Sequence, residues 1–443
     1  MPTPTPAPLS ATRGVALYVG ALLGPGLLML PGLADQLAGP ASIVAWVGLL
    51  VVSGLFAVVF TALGTRLAGG GGVIEYTRAG LGPRAGRAVG WCFLTAVVLG
   101  APVVCLIGAG YVTALIGGGR QTSALIAALL LALVTTLTQF GARIGTAVQM
   151  ALISLLLVVI VLAVAGAAPS ARTSNWTPFA PHGWTAIGGA ASVLMLSFVG
   201  WEAVAPLTRR LKDPERTLPR VTTGAFVITA LIYVALASTV IGVLGTRASG
   251  SVPVADLLRT AVGGVGPAVA ATAAVLLTLA TVNAYLTGAA TLAAHLRSAE
   301  RRTRSEADSR EPTRRAGPFF PAVAAAGIIE LTAEALGALD PARMVTLPTA
   351  LFLVVYVGST ASAARILRGR LRVAAVLACA ASALVFAFSG AAAVFALIVA
   401  AAGLLMPLRT STRPAGGHFG SARRGRKRNR PLSTAVCLSD RPD

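Results

Sequence analysis

Two short stretches place helix-breaking residues inside apolar runs, and the chemistry they offer is that of exposed peptide groups. Residues 23–27 read Leu-Gly-Pro-Gly-Leu, and residues 197–202 read Ser-Phe-Val-Gly-Trp-Glu, with Pro206 four positions later. Proline removes a backbone hydrogen bond from a helix, and glycine weakens the helix around it. Both stretches are therefore predicted to free N–H and C=O groups, which in hydrocarbon must face a ligand or a water-filled cavity.

A small zwitterion with both charged groups on one carbon matches two such interruptions. The N-terminus of a half-helix carries about +0.5 of a charge and attracts a carboxylate, whereas exposed carbonyls and a helix C-terminus attract a cation. We expect the carboxylate at the amides of Gly26 and Leu27, and the ammonium at the carbonyls of Leu23 and residues 197–200. The residues predicted to bind the substrate at the exposed peptide groups are Leu23, Gly24, Gly26, Leu27, Ser197 and Gly200. Met29, Phe198 and Trp201 are predicted to select the side chain of the substrate.

Glu202 is the acid that lies near the middle of the second interrupted run. A carboxylate at the centre of a bilayer costs roughly 2.5 to 3.5 kcal/mol on insertion scales, so its presence indicates a purpose. One interpretation is a protonatable group that gates the interruption or couples it to an ion. The other is a capping carboxylate that binds amides at the start of the second half-helix. The two roles are compatible.

Four more polar residues lie in apolar runs further along the chain. Asn283 and Thr287 are one helical turn apart, and such groups usually hydrogen-bond to a neighbouring helix. A place near the ligand or the coupling ion is the alternative for this pair. Glu330 and Glu334 share one face of a later helix, and we interpret them as interfacial residues, with a proton route as the alternative.

The common signatures of enzymes and nucleotide-binding proteins are missing. The only lysines are Lys212 and Lys427, and neither belongs to a phosphate-binding loop. The three histidines are too far apart for an HExxH zinc site, and there is no GxSxG or CxxC. A net charge of +21 would suggest nucleic acid, but the positions of the charges indicate a membrane protein instead. We predict a protein that is not an enzyme and has no cofactor, no metal and no nucleic-acid partner.

The composition of the chain predicts the helices that position these residues. Of the 443 residues, 56% are hydrophobic and 12% are charged, about half the charged share of soluble domains. A membrane-spanning helix needs roughly 20 mostly apolar residues, and twelve segments qualify. They are 14–34, 41–64, 88–116, 122–140, 144–167, 185–207, 221–244, 266–296, 319–337, 343–365, 371–388 and 390–408.

The basic residues set the predicted topology. Cytoplasmic loops accumulate Lys and Arg, and with the N-terminus inside, the outer side receives only five of the 36: Arg120, Arg172, Arg247, Arg259 and Arg343. We therefore predict a multi-pass protein of the plasma membrane with both termini in the cytoplasm. The arginine-rich C-terminal tail is expected to be disordered and to lie on anionic lipid headgroups, with a nucleic-acid or regulatory arm as the alternative.

The two interruptions divide the chain into comparable halves. If each half has five spans, each half begins with a broken helix. Because five is an odd number, the second half then crosses the membrane in the opposite orientation to the first. Broken helices at corresponding positions of inverted repeats indicate a transporter's binding site. The predicted division is a tail at 1–12, repeats at 13–170 and 171–367, an accessory hairpin at 368–408 and a basic tail at 409–443.

The motifs resemble those of the amino acid, polyamine and organocation (APC) transporter superfamily. They are the unwound stretch at 24–26, Gly71-Gly72 with Tyr76, Gly82-Pro83, Gly90-Trp91, the stretch at 198–202, and the loops at 212–216 and 218–220. The chain looks most like the branch of methionine and branched-chain amino acid exporters. The resemblance implies ten core helices in two inverted repeats, two accessory helices and alternating access. Residues 144–167 lack the lysine that some proton-driven relatives carry, so the coupling ion stays open.

The sequence thus predicts an all-α membrane protein of twelve spans, with the first and sixth discontinuous. The expected function is secondary active transport of small neutral amino acids, as an exporter of methionine or branched-chain amino acids by proton antiport. An uptake permease is the close alternative. A channel and a polytopic enzyme acting on lipid are the other classes considered.

Overall fold

A computed structural model gives the three-dimensional arrangement. It describes residues 10–67, 72–141, 145–203, 208, 211, 213–245, 252–301 and 318–405. The predicted basic tail, most of the N-terminal tail, Pro206 and Lys212 lie outside the described residues. Within the described part the regular elements are helices, which confirms the predicted all-α fold class.

Fifteen α-helices are described. In chain order they are α1 (Ala11–Leu22), α2 (Gly26–Ala38), α3 (Ser42–Arg66), α4 (Gly72–Leu81), α5 (Pro83–Ile116), α6 (Arg120–Gln139), α7 (Thr146–Ala167), α8 (Ala186–Leu194), α9 (Pro214–Thr239), α10 (Pro253–Val262), α11 (Gly266–Arg301), α12 (Phe319–Ala335), α13 (Pro341–Ile366), α14 (Arg370–Ala387) and α15 (Ala391–Leu405).

Most of these helices are long and apolar. The described residues contain eight helical stretches able to cross a membrane, plus two shorter apolar ones, Ala186–Phe198 and Ala391–Leu405. One stretch, Gly26–Arg66, joins α2 to α3 through a three-residue turn at Gly39–Ala41. The chain is therefore a multi-pass membrane protein. The count of twelve spans, their inverted arrangement and the domain boundaries stay predictions.

The first predicted interruption is present. Helix α1 ends at Leu22, and α2 begins at Gly26, just after Pro25. Proline cannot donate to the preceding turn but fits the start of a helix, so the chain restarts its helix here. The first span is therefore two half-helices joined by three residues.

The second predicted interruption is present as well. Helix α8 tightens into a 3₁₀ turn over Met195–Phe198, and Val199 then has extended backbone. Gly200 follows with φ of 139°, a value that favours glycine, before a short 3₁₀ turn at Trp201–Ala203. The prediction that the first and sixth spans are discontinuous is confirmed.

The interrupted spans lie inside a shell of other helices. Helix α1 packs against α7 and α9, whereas α2 packs against α8. Helices α3 and α9 also pack against each other, and α13 approaches the 3₁₀ end of the sixth span. Large apolar side chains on α6 and α14 face outward, as in Leu125, Leu129 and Leu384. The interruptions are therefore enclosed by protein, whereas the outer helices present apolar surface to lipid.

Candidate functional site

The two interruptions touch each other. A Cβ placed on Gly200 would lie 2.5 Å from the Ala21 carbonyl oxygen at the end of α1. A Cβ placed on Gly26 would lie 3.4 Å from the Ser197 hydroxyl oxygen. The structure thus brings the first and second predicted stretches into one place, and glycine permits the close approach at Gly200.

Peptide N–H groups are available at the start of α2. The Leu23 N–H donates to the Val19 carbonyl at 2.7 Å, and the Leu27 N–H donates to the Gly24 carbonyl at 3.1 Å. For the N–H groups of Gly24 and Gly26 the described residues supply no acceptor. Of the two amides predicted to bind a carboxylate, Gly26 is free and Leu27 is used in the turn. Gly24 adds a free amide that the sequence prediction did not assign to the carboxylate.

Gly24 borders open space, since a Cβ built on it would meet nothing within 4 Å. Ser197 lies on the opposite side of the junction, and its hydroxyl is buried without a hydrogen-bond partner among the described residues. A buried hydroxyl normally has a partner, so an unpaired one at this position is a candidate ligand group. Two amides and one hydroxyl are thus available where the interruptions meet.

Tyr233 of α9 bridges the two interrupted spans. Its hydroxyl lies 2.9 Å from the Leu22 carbonyl oxygen and 2.5 Å from the Ser197 carbonyl oxygen. A phenol has one proton to donate, so the two carbonyls share it. The Ser197 carbonyl, predicted to face an ammonium, therefore already has a partner. The Leu23 carbonyl accepts no hydrogen bond within the described part of the chain.

Three more tyrosines support the same junction from different helices. Tyr18 donates to the Trp201 carbonyl at 3.1 Å, and Tyr111 donates to the Leu28 carbonyl at 2.7 Å. Tyr356 of α13 donates to a carboxyl oxygen of Glu202 at 2.7 Å. The sequence prediction missed all of these side chains. A usable signal was that only 6 tyrosines occur in the chain and that a buried phenol needs a polar partner.

Glu202 acts as a cap in this structure. Its Oε2 accepts the Gly200 N–H at 2.9 Å in addition to the Tyr356 hydroxyl. The Tyr356 oxygen in turn accepts the Gly200 N–H at 3.1 Å. This arrangement binds the amide that the unusual Gly200 backbone leaves exposed. The capping role is thus visible, and the gating or coupling role stays a prediction.

The apolar residues that are predicted to select the side chain of the substrate are buried. Phe198 packs edge-on against Tyr233, with ring centroids 5.0 Å apart. Trp201 is fully buried, and its indole N–H donates to the Ser53 hydroxyl of α3 at 2.9 Å. Met29 is buried within α2. Trp201 is therefore fixed by its packing, and a selective role for these three residues stays a prediction.

Asn283 and Thr287 contact other groups. The Asn283 amide donates to the Thr138 hydroxyl of α6 at 2.9 Å, and the Thr287 hydroxyl donates to the Asn283 carbonyl at 2.7 Å. The first bond ties α11 to α6, as expected for polar residues that hold membrane helices together. Their proposed part in coupling stays a prediction.

Comparison with known proteins agrees with this arrangement. The family model for amino acid permeases matches residues 9–299, which contain both interruptions. The "Uncharacterized amino acid permease YecA" of Bacillus subtilis (strain 168) is 29% identical over 401 residues, covering 88% of this chain and 93% of the relative. The "L-methionine/branched-chain amino acid exporter YjeH" of Escherichia coli (strain K12) is 32% identical over 228 residues, covering 51% of this chain and 54% of the relative.

A third relative is more distant. The "Branched-chain amino acid permease BcaP" of Bacillus subtilis (strain 168) is 24% identical over 246 residues, covering 52% of this chain and 53% of the relative. The matches to YjeH and BcaP thus span about half of each relative, whereas the match to YecA spans nearly all of it. With its interrupted helices and the family match over most of its length, the chain belongs to the amino acid permease family of the APC superfamily.

Proposed function

We propose that the protein is a secondary active transporter that exports methionine and branched-chain amino acids by alternating access and proton antiport. Amino acid transport is the coarser function that the family supports. The observation that carries the proposal is the junction of the interrupted spans, where the N–H groups of Gly24 and Gly26 and the hydroxyl of Ser197 have no partner among the described residues.

The substrate carboxylate fits the start of α2. Free N–H groups and the positive end of the helix dipole together make a site for an anion. The Gly26 N–H would donate to the carboxylate, and the neighbouring Ser197 hydroxyl would donate a second hydrogen bond. The Gly24 N–H points away from the Leu23 carbonyl of the same peptide unit, so it would contact a different part of the substrate or a water molecule. The ammonium would lie at the C-terminal end of α1, where the Leu23 carbonyl accepts no hydrogen bond from the described residues. The aliphatic side chain would then contact Met29 and Phe198.

Alternating access would occur at the same junction. The Tyr233 hydroxyl holds the end of α1 against the interrupted part of the sixth span, so these two parts would move relative to each other during transport. A substrate that binds between these two parts would replace or reinforce this bridge. Binding and the change of access are thereby linked through one set of backbone groups.

Coupling and topology complete the proposal. Efflux against a gradient needs an inward-moving partner, and Glu202 is a carboxyl group that contacts the interruption through Gly200. Asn283 and Thr287 remain candidates for the same pathway. The protein would lie in the plasma membrane with both termini in the cytoplasm, and the basic tail would contact anionic headgroups.

Uptake is the second candidate, since BcaP and YecA are named permeases rather than exporters. Direction depends on coupling and on gradients, so the two candidates share one binding site. A channel would differ from both because its flux would not saturate and would not respond to substrate on the opposite side. An enzyme acting on lipid would need a polar catalytic cluster.

Counterflow in liposomes tests the transport proposal. Purified protein is reconstituted in liposomes preloaded with one unlabelled amino acid, and entry of the labelled form is measured for each of the twenty amino acids. We expect preloading to accelerate entry of methionine, leucine, isoleucine and valine, and an imposed pH gradient to drive net movement opposite to the protons. Equal rates with and without preloading would contradict alternating access.

A further inference from the structure

Helix α12 carries two acids on the face that points into the protein. Glu330 and Glu334 are four residues apart and only 6% and 4% exposed, whereas Ile328 and Ile329 on the other face are each 69% exposed. Residues spaced by four lie above one another on a helix. The two carboxyl groups therefore share one buried stripe of α12.

This stripe packs against two other helices. Gly327, one turn before Glu330, is so close to α6 that an added Cβ would lie 2.3 Å from a methyl group of Leu131. The same Cβ would lie 3.9 Å from Pro102 of α5. The acids thus lie on the side of α12 that contacts α5 and α6, away from the junction of the interrupted spans.

The carboxyl groups are without partners in the described part of the chain. Both oxygens of Glu330 and one oxygen of Glu334 are inaccessible to solvent and have no hydrogen-bond partner there. Burying an unpaired ionised carboxylate costs several kcal/mol, even after relaxation of the protein. A positively charged ligand that neutralises the pair would remove that cost.

Charged side chains at this end of the described helices include Arg120 of α6, and Asp340 and Arg343, which follow α12 after a short loop and pair with each other at 3.4 Å. Arg120 is the first residue of α6, is exposed, and interacts electrostatically with Glu334. Helix α5 contributes Cys105 and Tyr111 to its second half, and the Tyr111 hydroxyl donates to the Leu28 carbonyl. The Tyr285 phenol of α11 packs against Phe352 of α13. Because Arg120 is exposed, Glu334 lies near solvent on the side that we predict to be extracellular.

The chemistry of the Glu330 and Glu334 carboxyl groups indicates which positively charged ligand they bind. A bound Ca²⁺ takes six to eight oxygen ligands, and no group of three or more His, Cys, Asp and Glu side chains that could hold a metal occurs in the described ranges. A proton needs only one carboxyl oxygen, and a buried carboxyl group without a hydrogen-bond partner favours its protonated form. From burial, missing partners and the nearby Arg120, we infer that Glu330 and Glu334 bind a proton that exchanges with the Arg120 side of the membrane. This site is separate from Glu202 and extends the proposed function.

Infrared spectroscopy of the full-length protein tests this inference directly. A protonated carboxylic acid has a C=O stretching band that the carboxylate lacks, and in apolar surroundings this band lies at a higher frequency than that of a hydrated acid. The high-frequency band in difference spectra between buffers of different pH therefore reports the titration of buried carboxyl groups only. We expect the band in the wild type and a loss of intensity in Glu330→Gln, in Glu334→Gln and most strongly in the double variant. Glu215→Gln, which changes an exposed acid in the first turn of α9, is the matched control and should resemble the wild type.

A second measurement needs no variant and so avoids any folding defect. Dicyclohexylcarbodiimide is an apolar reagent that modifies protonated carboxyl groups in apolar surroundings, and mass spectrometry locates the modified residue. We expect modification of Glu330 or Glu334 in the wild type at acidic pH and its loss at alkaline pH. An unmodified pair at every pH, or a double-variant infrared spectrum identical to the wild type, would overturn the inference. Both measurements detect the carboxyl groups themselves, so a failure of the transport proposal would not change their result.

Discussion

Gly26 combines an amide that has no acceptor among the described residues with a lack of room for a side chain. An added Cβ would lie 3.1 Å from a methyl group of Leu30 and 3.4 Å from the Ser197 hydroxyl. We expect Gly26→Val to abolish amino acid binding, measured by isothermal calorimetry on purified protein. Gly48→Val is the matched control, because Gly48 of α3 has open space around it. Wild-type affinity in Gly26→Val would place the substrate elsewhere.

Tyr233 is the residue whose single hydroxyl serves both interrupted spans. Tyr233→Phe would leave the Leu22 and Ser197 carbonyls without this donor, and an unsatisfied buried group costs about 1–3 kcal/mol. We expect a lower thermal midpoint and slower counterflow. Tyr76→Phe is the control, because the Tyr76 hydroxyl is buried without a partner within the described chain, and its removal should be neutral. Equal midpoints for the two variants would contradict the bridging role.

Glu202 can be tested for its two roles separately. Glu202→Gln keeps an oxygen that can accept the Tyr356 hydroxyl and the Gly200 N–H but removes the ability to take up and release a proton. We expect its thermal midpoint to stay close to that of the wild type, while acceleration of transport by a pH gradient disappears. Glu202→Ala, which removes the cap as well, should also unfold at lower temperature. A Gln variant that still responds to the pH gradient would leave Glu202 as a cap only.

At the scale of the helical element, Pro25 determines that the first span is two half-helices. The double variant Gly24→Ala with Pro25→Ala restores a backbone donor and improves helix propensity at both positions. We expect α1 and α2 to join into one helix, which would remove the free amides, so that amino acid binding is lost without a loss of thermal stability. Pro31→Ala, at a proline inside α2, is the control and should retain binding.

A crystal structure of the double variant would check the cause. A continuous helix from residue 11 to residue 38 is the expected outcome. Retained binding in a variant with that continuous helix would show that the substrate does not use the interruption.

The sequence was informative about these elements because the breaks depend on local residues. Pro25 and its neighbouring glycines act on their own turn, and Gly200 takes up a backbone angle that few other residues adopt. The partners of the freed groups depend instead on the distant chain. Tyr233 is far from Leu22 in sequence, and nothing in its neighbourhood predicts which carbonyls it meets. The Leu27 amide is bonded within its own turn, and the spacing of residues in the sequence does not specify the backbone geometry that causes this.

At the scale of the whole molecule, transport should depend on the helical body and not on the basic C-terminal tail. The last described helix, α15, is held against α5, where the Arg87 side chain donates to the Gly403 carbonyl at 3.2 Å. We expect deletion of residues 415–443 to leave counterflow close to the wild-type rate, because both interruptions and their supporting tyrosines remain. A large loss of counterflow with normal expression would assign the tail a direct role.

The tryptophans at the junction have a practical consequence. The Trp201 ring packs edge-on against Tyr18, with ring centroids 5.4 Å apart, and its N–H is bonded to Ser53. Trp46 packs against Tyr233 in the same region, with centroids 5.1 Å apart. Indole emission depends on local polarity and on nearby quenching groups, so two of the 5 tryptophans report on the junction of the interrupted spans. The unlabelled protein therefore carries an intrinsic optical probe of any change in packing at this junction.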